Sequence, residues 1–134
     1  MEGVARLLGG LPLFEGFSPA QLQSLVQKSR LDTFAPQEAI IRFGQPGRYL
    51  VIIVDGVAEV VITEESGERK QVALRKQGDF LGEISLLTGE PTTADVIALE
   101  TCEVLLIPQE TFSAFLAVNP AALRVMAKTI TERF

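Results

Sequence analysis

The sequence predicts a mainly β chain with flanking helices: an antiparallel sandwich or jelly-roll barrel with an N-terminal helix before it and two C-terminal helices after it. Three observations predict this. Gly56, Gly67 and Gly78 recur at intervals of eleven residues, and the segments between them, Val57–Thr63 and Arg69–Arg75, are strand length, so the middle of the chain reads as hairpins turned on glycine. No helix-length pattern separates these strands, which disfavours a parallel sheet. Helix-opening signals stand on both sides of the region. The chain has 134 residues, of which 47% are hydrophobic, enough for the core of one domain spanning 1–134. Within it we expect a helical segment over 1–31, a barrel over 32–107 and C-terminal helices over 108–134.

From the N-terminus, Leu11-Pro12-Leu13-Phe14 is an apolar run that fits either a short helix or a turn. Ser18-Pro19-Ala20-Gln21 combines an N-cap serine, a proline at the first helical position and a glutamine where a capping box needs it, so a helix is expected over 19–29. Leu22, Leu25 and Val26 would cover one side of the core. Strands follow from Asp32 to Ile107, with a hairpin tip at Glu64-Glu65-Ser66-Gly67. Val96 to Ile107 reads as one apolar strand-like run holding Cys102, a small buried hydrophobe by composition. Pro108-Gln109-Glu110 opens a short helix to Leu116, and Asn119-Pro120 opens the last one. Leu123, Met126, Ala127, Ile130 and Phe134 share a face of that helix. This stripe would pack on its own barrel, pair with a partner helix as in a homodimer, dock an attached effector domain, or act as a movable lid.

Several classes of activity are excluded. The formal net charge is −5, so no general basic surface attracts nucleic acid. Apolar runs such as Tyr49 to Val54 are far shorter than the roughly 20 residues of a membrane helix, and no leader pattern opens the chain, so membrane insertion is not expected and a cytoplasmic location is. The chain contains no histidine. That removes imidazole bases, histidine-activated nucleophiles and most transition-metal sites, so we expect neither an enzyme, a catalytic residue, a metal nor a resident cofactor. Binding is the work left to the barrel. The place for it is Gly78 to Leu87, where Gly82 permits close backbone approach and Glu83 to Leu87 suits a single helical turn with free N–H groups at its start, a phosphate-attracting arrangement.

The stretch FLGEISLLTGEPTTADVIA, residues 80–98, resembles the phosphate-binding cassette of the cyclic-nucleotide-binding domain family, the jelly roll of catabolite activator protein and of protein kinase A regulatory subunits. IIRFGQPG at 40–47 and VIIVDGV at 51–57 resemble its early strands. The resemblance runs from about Leu13 to Phe134. It implies an eight-stranded antiparallel jelly roll and a signal-transducing regulatory domain whose ligand is cAMP, cGMP or a related small anion. It further implies that Gly82 and Glu83 begin a short helix with Ile84, that backbone N–H groups there meet a cyclic phosphate, and that Glu83 accepts the ribose 2′-hydroxyl. Ser85 is the small residue that lets the backbone approach the phosphate, and Ala94 follows on the next strand. Thr93 offers a hydroxyl to the phosphate or to a guanine amino group. Thr92 stands where the family has an arginine for the phosphate. A hydrogen bond to a charged group contributes about 1.5–3 kcal/mol, so the exchange weakens binding by roughly ten- to over one-hundred-fold. Arg42, Arg48, Arg124 and Lys128 are the candidates to compensate. The alternative is a degenerate domain that binds no nucleotide and serves as an interaction or dimerisation module.

Overall fold

A computed structural model describes residues 2–133. Two antiparallel sheets of four strands pack face to face, and the helices cover the outer face of one of them. The first helix, α1 (Glu2–Gly9), falls in the segment expected to be helical over 1–31, where no bounds were expected for it; it carries no capping signature, and what anchors it is tertiary, through Val4 and Leu8, 8% and 0% exposed. Residues Pro12–Phe14 form a 3₁₀ turn. Helix α2 (Pro19–Gln27) opens on the capping box expected from Ser18 and Gln21, with Ser18 Oγ accepting from Gln21 N–H at 3.2 Å and Ser18 N–H donating to Gln21 Oε1 at 2.8 Å. It stops two residues before the expected end at Ser29. There the Ser29 hydroxyl donates to Leu25 O at 2.8 Å, and Lys28 N–H is shared between Ser24 O and Leu25 O. These bonds satisfy carbonyls left open at the helix terminus.

The strands are β1 (Arg30–Phe34), β2 (Ala39–Ile41), β3 (Tyr49–Asp55), β4 (Ala58–Thr63), β5 (Arg69–Arg75), β6 (Phe80–Leu81), β7 (Asp95–Ala98) and β8 (Cys102–Pro108). Their order is β1-β8-β3-β6 in one sheet and β2-β7-β4-β5 in the other, a jelly roll whose sheets stay separately hydrogen-bonded. The apolar run 96–107 is thus two strands. The break at 99–101 is a turn, held by Leu99 N–H donating to Val57 O at 2.9 Å. The expected glycine turns are present, with Gly56, Gly67 and Gly78 all at positive φ. Gly56 is also enclosed: a Cβ there would lie 2.5 Å from Thr101 O and 2.8 Å from Cys102 Sγ. Glu64 and Glu65 sit in the solvated β4–β5 hairpin, closed by Gly67 N–H donating to Glu64 O at 2.8 Å.

Strands β3 and β8 are apolar at nearly every position because both their faces are buried. Leu50, Ile52, Leu105 and Ile107 point to the helices, among Leu8, Phe14, Leu25, Phe112, Leu116 and Met126. Val51, Ile53, Val104, Leu106 and Cys102 point between the sheets, where they meet Ala58, Leu81, Val96 and Ala98. Each fully buried side chain of this size contributes about 1.5–3 kcal/mol of hydrophobic stabilisation. Cys102 is fully buried, as expected, its thiol 3.3 Å from Val57 O; burial, then the charges of Glu100 and Asp55, push its pKa up.

After β8 the chain forms α4 (Gln109–Thr111) and runs on as a π-helical turn, Phe112–Leu116, with Ala117 N–H donating to Phe112 O. Asn119 caps the last helix, α5 (Pro120–Arg133): its Oδ1 accepts from Ala122 N–H at 3.0 Å while its Nδ2 donates to Gly16 O at 3.3 Å. The inward face of α5 keeps Met126 of the expected stripe but not its neighbours. Ala122 and Met126 are fully buried and Val125 partly so, whereas Leu123 is 37% exposed, Ala127 is exposed and Ile130 only half-buried. Helix α5 packs against the 3₁₀ turn, and the small Ala122 is fully buried while the larger Leu123 is turned outward. Phe134 lies outside the described residues. No helix among the described residues is long and apolar enough to cross a membrane.

Candidate functional site

Between β6 and β7 the chain forms α3 (Glu83–Thr88), the short helix expected at this point. It closes one end of a cavity of about 330 Å³, and Gly82, Glu83, Ile84, Ser85, Thr92, Thr93 and Ala94 all line it, facing Val60, Ile62 and Val72 of the β4–β5 hairpin. Gly82 caps α3 at φ 90°, ψ 0°, and a Cβ there would lie 2.8 Å from Tyr49 O, so both conformation and space require glycine. Gly47 of the β2–β3 loop is equally close packed: a Cβ would lie 2.6 Å from Ser85 Cβ. The loop therefore presses on α3 from behind. The first turn of a helix leaves N–H groups without intrahelical partners, and here that turn lines the cavity.

Glu83, the first residue of α3, is 1% exposed. Its Oε1 accepts from Arg133 Nη1 at 2.6 Å, and Arg133 Nη2 donates to Phe80 O at 2.7 Å while the guanidinium lies 5.3 Å from the Phe80 ring centroid. The last described turn of α5 is thus fastened to the cassette by a charge-assisted pair. A third charged group, Arg75 at the end of β5, lines the same cavity. Its Nη1 donates to Leu74 O at 3.0 Å, and its Nε is buried without a partner. Burial first, then the charge of Arg133, lower its pKa, with Asp79 and Glu83 acting the other way. One carboxylate against two guanidiniums leaves the lining positive by one charge.

Thr92 is engaged on the side of the β2–β3 loop. Its hydroxyl donates to Arg42 O and accepts from Gln45 N–H at 3.0 Å, while its backbone exchanges N–H and C=O bonds of 2.9 Å with Gln45 O and Gly44 N–H. Thr93 and Ala94 precede β7 rather than belonging to it, because the β4–β7 pairing begins at Asp95. Asp95 in turn holds both Phe43 N–H at 2.9 Å and Arg69 at 3.5 Å.

None of the four cations named from the sequence as compensators lines this cavity. Arg42 and Arg48 line a neighbouring one, Lys128 a groove beside the 3₁₀ turn, and Arg124 is exposed. The cations present, Arg75 and Arg133, were missed, yet each left a signal. Arg75 ends an alternating strand on the side of Ala73 and opposite the buried Ala58. Arg133 follows Met126 by seven residues, two helical turns along the same face.

Comparison with known proteins bears on the family and the fold. The family model described as the cyclic nucleotide-binding domain matches residues 31–119. A cyclic nucleotide-gated potassium channel of Mesorhizobium japonicum is 30% identical over 130 residues, covering 96% of this chain and 34% of the channel. Among solved structures, a triple mutant of the regulatory subunit of a cAMP-independent protein kinase A from Trypanosoma brucei, one of its substitutions threonine to arginine, is bound to cAMP. It matches with a TM-score of 0.78 and 25% identity over 92% of this chain and 49% of its own. The corresponding subunit from Trypanosoma cruzi, bound to guanosine, matches with a TM-score of 0.78 and 26% identity over 95% of this chain and 48% of its own. This chain thus spans about a third of the channel and about half of each kinase subunit chain. On the matched residues, the two-sheet jelly roll and the Gly82–Glu83 helix start, the chain belongs to the cyclic nucleotide-binding domain family.

Proposed function

We propose that the chain is a ligand-sensing regulatory module that binds cAMP, cGMP or a related small anion in the cassette cavity and passes occupancy to α5. The observation that carries this reading is the buried Glu83 carboxylate at the start of α3, fastened to α5 by Arg133. A carboxylate has room for partners on both oxygens. Arg133 holds Oε1, and a ribose 2′-hydroxyl donating to Oε2 completes the set, so a ligand acts directly on the bond that fixes the end of α5. The outer stripe of α5, Leu123, Ala127 and Ile130, then offers the output surface, for a second copy or an attached effector. Such a module works in the cytoplasm and performs no catalysis of its own.

Thr92 sets the strength. With its hydroxyl bonded to the β2–β3 loop it brings no charge to a phosphate, and the anion must rely on the α3 N–H groups and the excess positive charge of Arg75. Cyclic nucleotides therefore bind weakly. One observation favours a second reading, an uncharged nucleoside: the hydroxyl of Thr92 is already occupied, and the Trypanosoma cruzi subunit holds guanosine. Calorimetric titration of cAMP, cGMP and guanosine into wild type, Thr92→Arg and Glu83→Ala tests both. Thr92→Arg is expected to tighten cyclic nucleotides at least roughly tenfold, a change supported by the cAMP-bound mutant with its threonine-to-arginine substitution. Glu83→Ala is expected to weaken every ribose-bearing ligand. Guanosine binding more tightly than either cyclic nucleotide in wild type establishes the second reading. If no ligand binds wild type or folded Thr92→Arg, the sensor reading fails and the interaction module replaces it.

A further inference from the structure

A second cavity, of about 290 Å³, opens where the free edges of the two sheets, β1 and β2, face each other. It shares only Ile41, Gly82 and Thr92 with the cassette cavity, which lies on the other side of them. Its floor is apolar, with Phe34, Ile40, Val51 and Leu106 continuing the core between the sheets. Its rim carries Arg30, Arg42 and Arg48 against one carboxylate, Asp32. Arg30 lies 4.0 Å from Asp32 and 5.7 Å from the Tyr49 ring centroid, so its charge is matched. Arg42 and Arg48 make no ion pair among the described residues. An apolar floor under two uncompensated guanidiniums is complementary to a small carboxylate with an aliphatic body, the planar fork taking the headgroup and the floor the chain.

We infer that this edge cavity is a second small-molecule site, selective for a short aliphatic carboxylic acid and separate from the cassette. The volume is at the small end of ligand pockets and suits a chain of about six to ten carbons. Tyr49 is a built-in reporter. It lines this cavity and not the other, and the chain has one tyrosine and no tryptophan, so tyrosine emission comes from the proposed site alone.

The test is fluorescence titration of the full chain with three probes: octanoate, which has body and charge; 1-octanol, body only; and acetate, charge only. Octanoate is expected to give a saturable change with a dissociation constant at least about tenfold below that of octanol, and acetate none. Arg42→Gln with Arg48→Gln, both on the exposed rim, should abolish the preference of octanoate over octanol while leaving the melting temperature near wild type. Val51→Phe, which fills the floor, should abolish binding of both; if it does not fold, the arginine pair decides alone. Equal affinity for octanoate and octanol in wild type, or undiminished octanoate binding by the folded double variant, overturns the inference. Arg42, Arg48 and Val51 do not line the cassette cavity, so nucleotide and nucleoside titrations remain an independent measurement.

Discussion

Removing Arg133 probes the link between cassette and helix most directly. In Arg133→Ala the Glu83 carboxylate stays in place, with a side chain only 2% exposed, and loses its cation 2.6 Å away. Phe80 O loses its donor at 2.7 Å. Breaking a buried ion pair from one side costs about 3–5 kcal/mol, because the remaining charge is left desolvated. Arg133 is itself 19% exposed, so water reaches the gap and the lower end, about 3 kcal/mol, is the expected loss. For a chain of this length 1 kcal/mol corresponds to about 3–5 °C in melting temperature, so circular dichroism should show a fall of roughly 9–15 °C. Glu83→Gln, which keeps shape and removes the charge, should make the second substitution much cheaper. The double-mutant cycle over wild type, Arg133→Ala, Glu83→Gln and the pair should therefore give a coupling of about 1.5–3 kcal/mol. A coupling below about 0.5 kcal/mol, within ordinary additivity, would refute the idea that this bond fastens α5 to the cassette, whatever the single variants do.

Other expectations follow from the same geometry. Thr92→Val keeps the shape and loses both hydroxyl bonds to the β2–β3 loop, so urea denaturation should show a loss of about 1–2 kcal/mol without the gain in cyclic-nucleotide affinity expected of Thr92→Arg; an unchanged midpoint would mean the bonds are not formed in solution. Gly56→Ala and Gly67→Ala separate crowding from backbone strain, since both sites have positive φ but a Cβ at Gly67 meets open space. Gly67→Ala should cost about 1–2 kcal/mol and Gly56→Ala clearly more by thermal melting, and equal losses would contradict the packing described. Burial holds the Cys102 pKa above the ordinary thiol range, so the thiol should resist a disulfide reagent in native protein and react once urea unfolds it. Folding favours the neutral thiol, so its contribution to stability is intact below about pH 9 and declines as pH rises toward the folded pKa. Wild type should accordingly lose stability faster than Cys102→Ala above about pH 9, and parallel curves would argue against burial as the cause.

The sequence carried the strands and helix starts because those signals are local. Gly56 and Gly67 announce turns, and Ser18 with Gln21 announces a cap, wherever the rest of the chain goes. The single turn of α3 was legible for the same reason, from Gly82 and the residues after it. Packing orientation was not legible in this way. By hydrophobicity Leu123 and Ile130 should face inward on α5 with Met126, yet Ala122 and Met126 are the fully buried residues there, and no property of the helix alone records that choice. The bounds of helix α1 escaped for a related reason: it is secured by Val4 and Leu8 against the core and by no capping residue.

The charges of the site show the same division in its functional form. Arg42 and Arg48, the cations that flank the Gly44–Gly47 turn, stand 50 and 44 residues from Thr92 along the chain and come close to the cassette through the loop bonds, but line a different cavity. Arg75 and Arg133 stand 17 and 41 residues from Thr92 along the chain, and only the pairing of β4 with β5 and the return of α5 bring them to the cavity that Thr92 lines. A cation on α5 differs in kind from one in the cassette. An arginine at 92 would be held by the loop whether or not α5 is docked, whereas Arg133 reaches Glu83 only when the helix is in place. Under the proposed function, positive charge on the helix and not in the cassette would make ligand affinity depend on helix position. Thr92→Arg with Arg133→Ala should separate the two: cyclic-nucleotide affinity is expected to stay at or above the wild-type level while α5 loosens, read as faster amide hydrogen exchange over 120–133 that the ligand no longer slows. If ligand still protects α5 in that variant as strongly as in wild type, occupancy reaches the helix by a route other than Glu83 and Arg133.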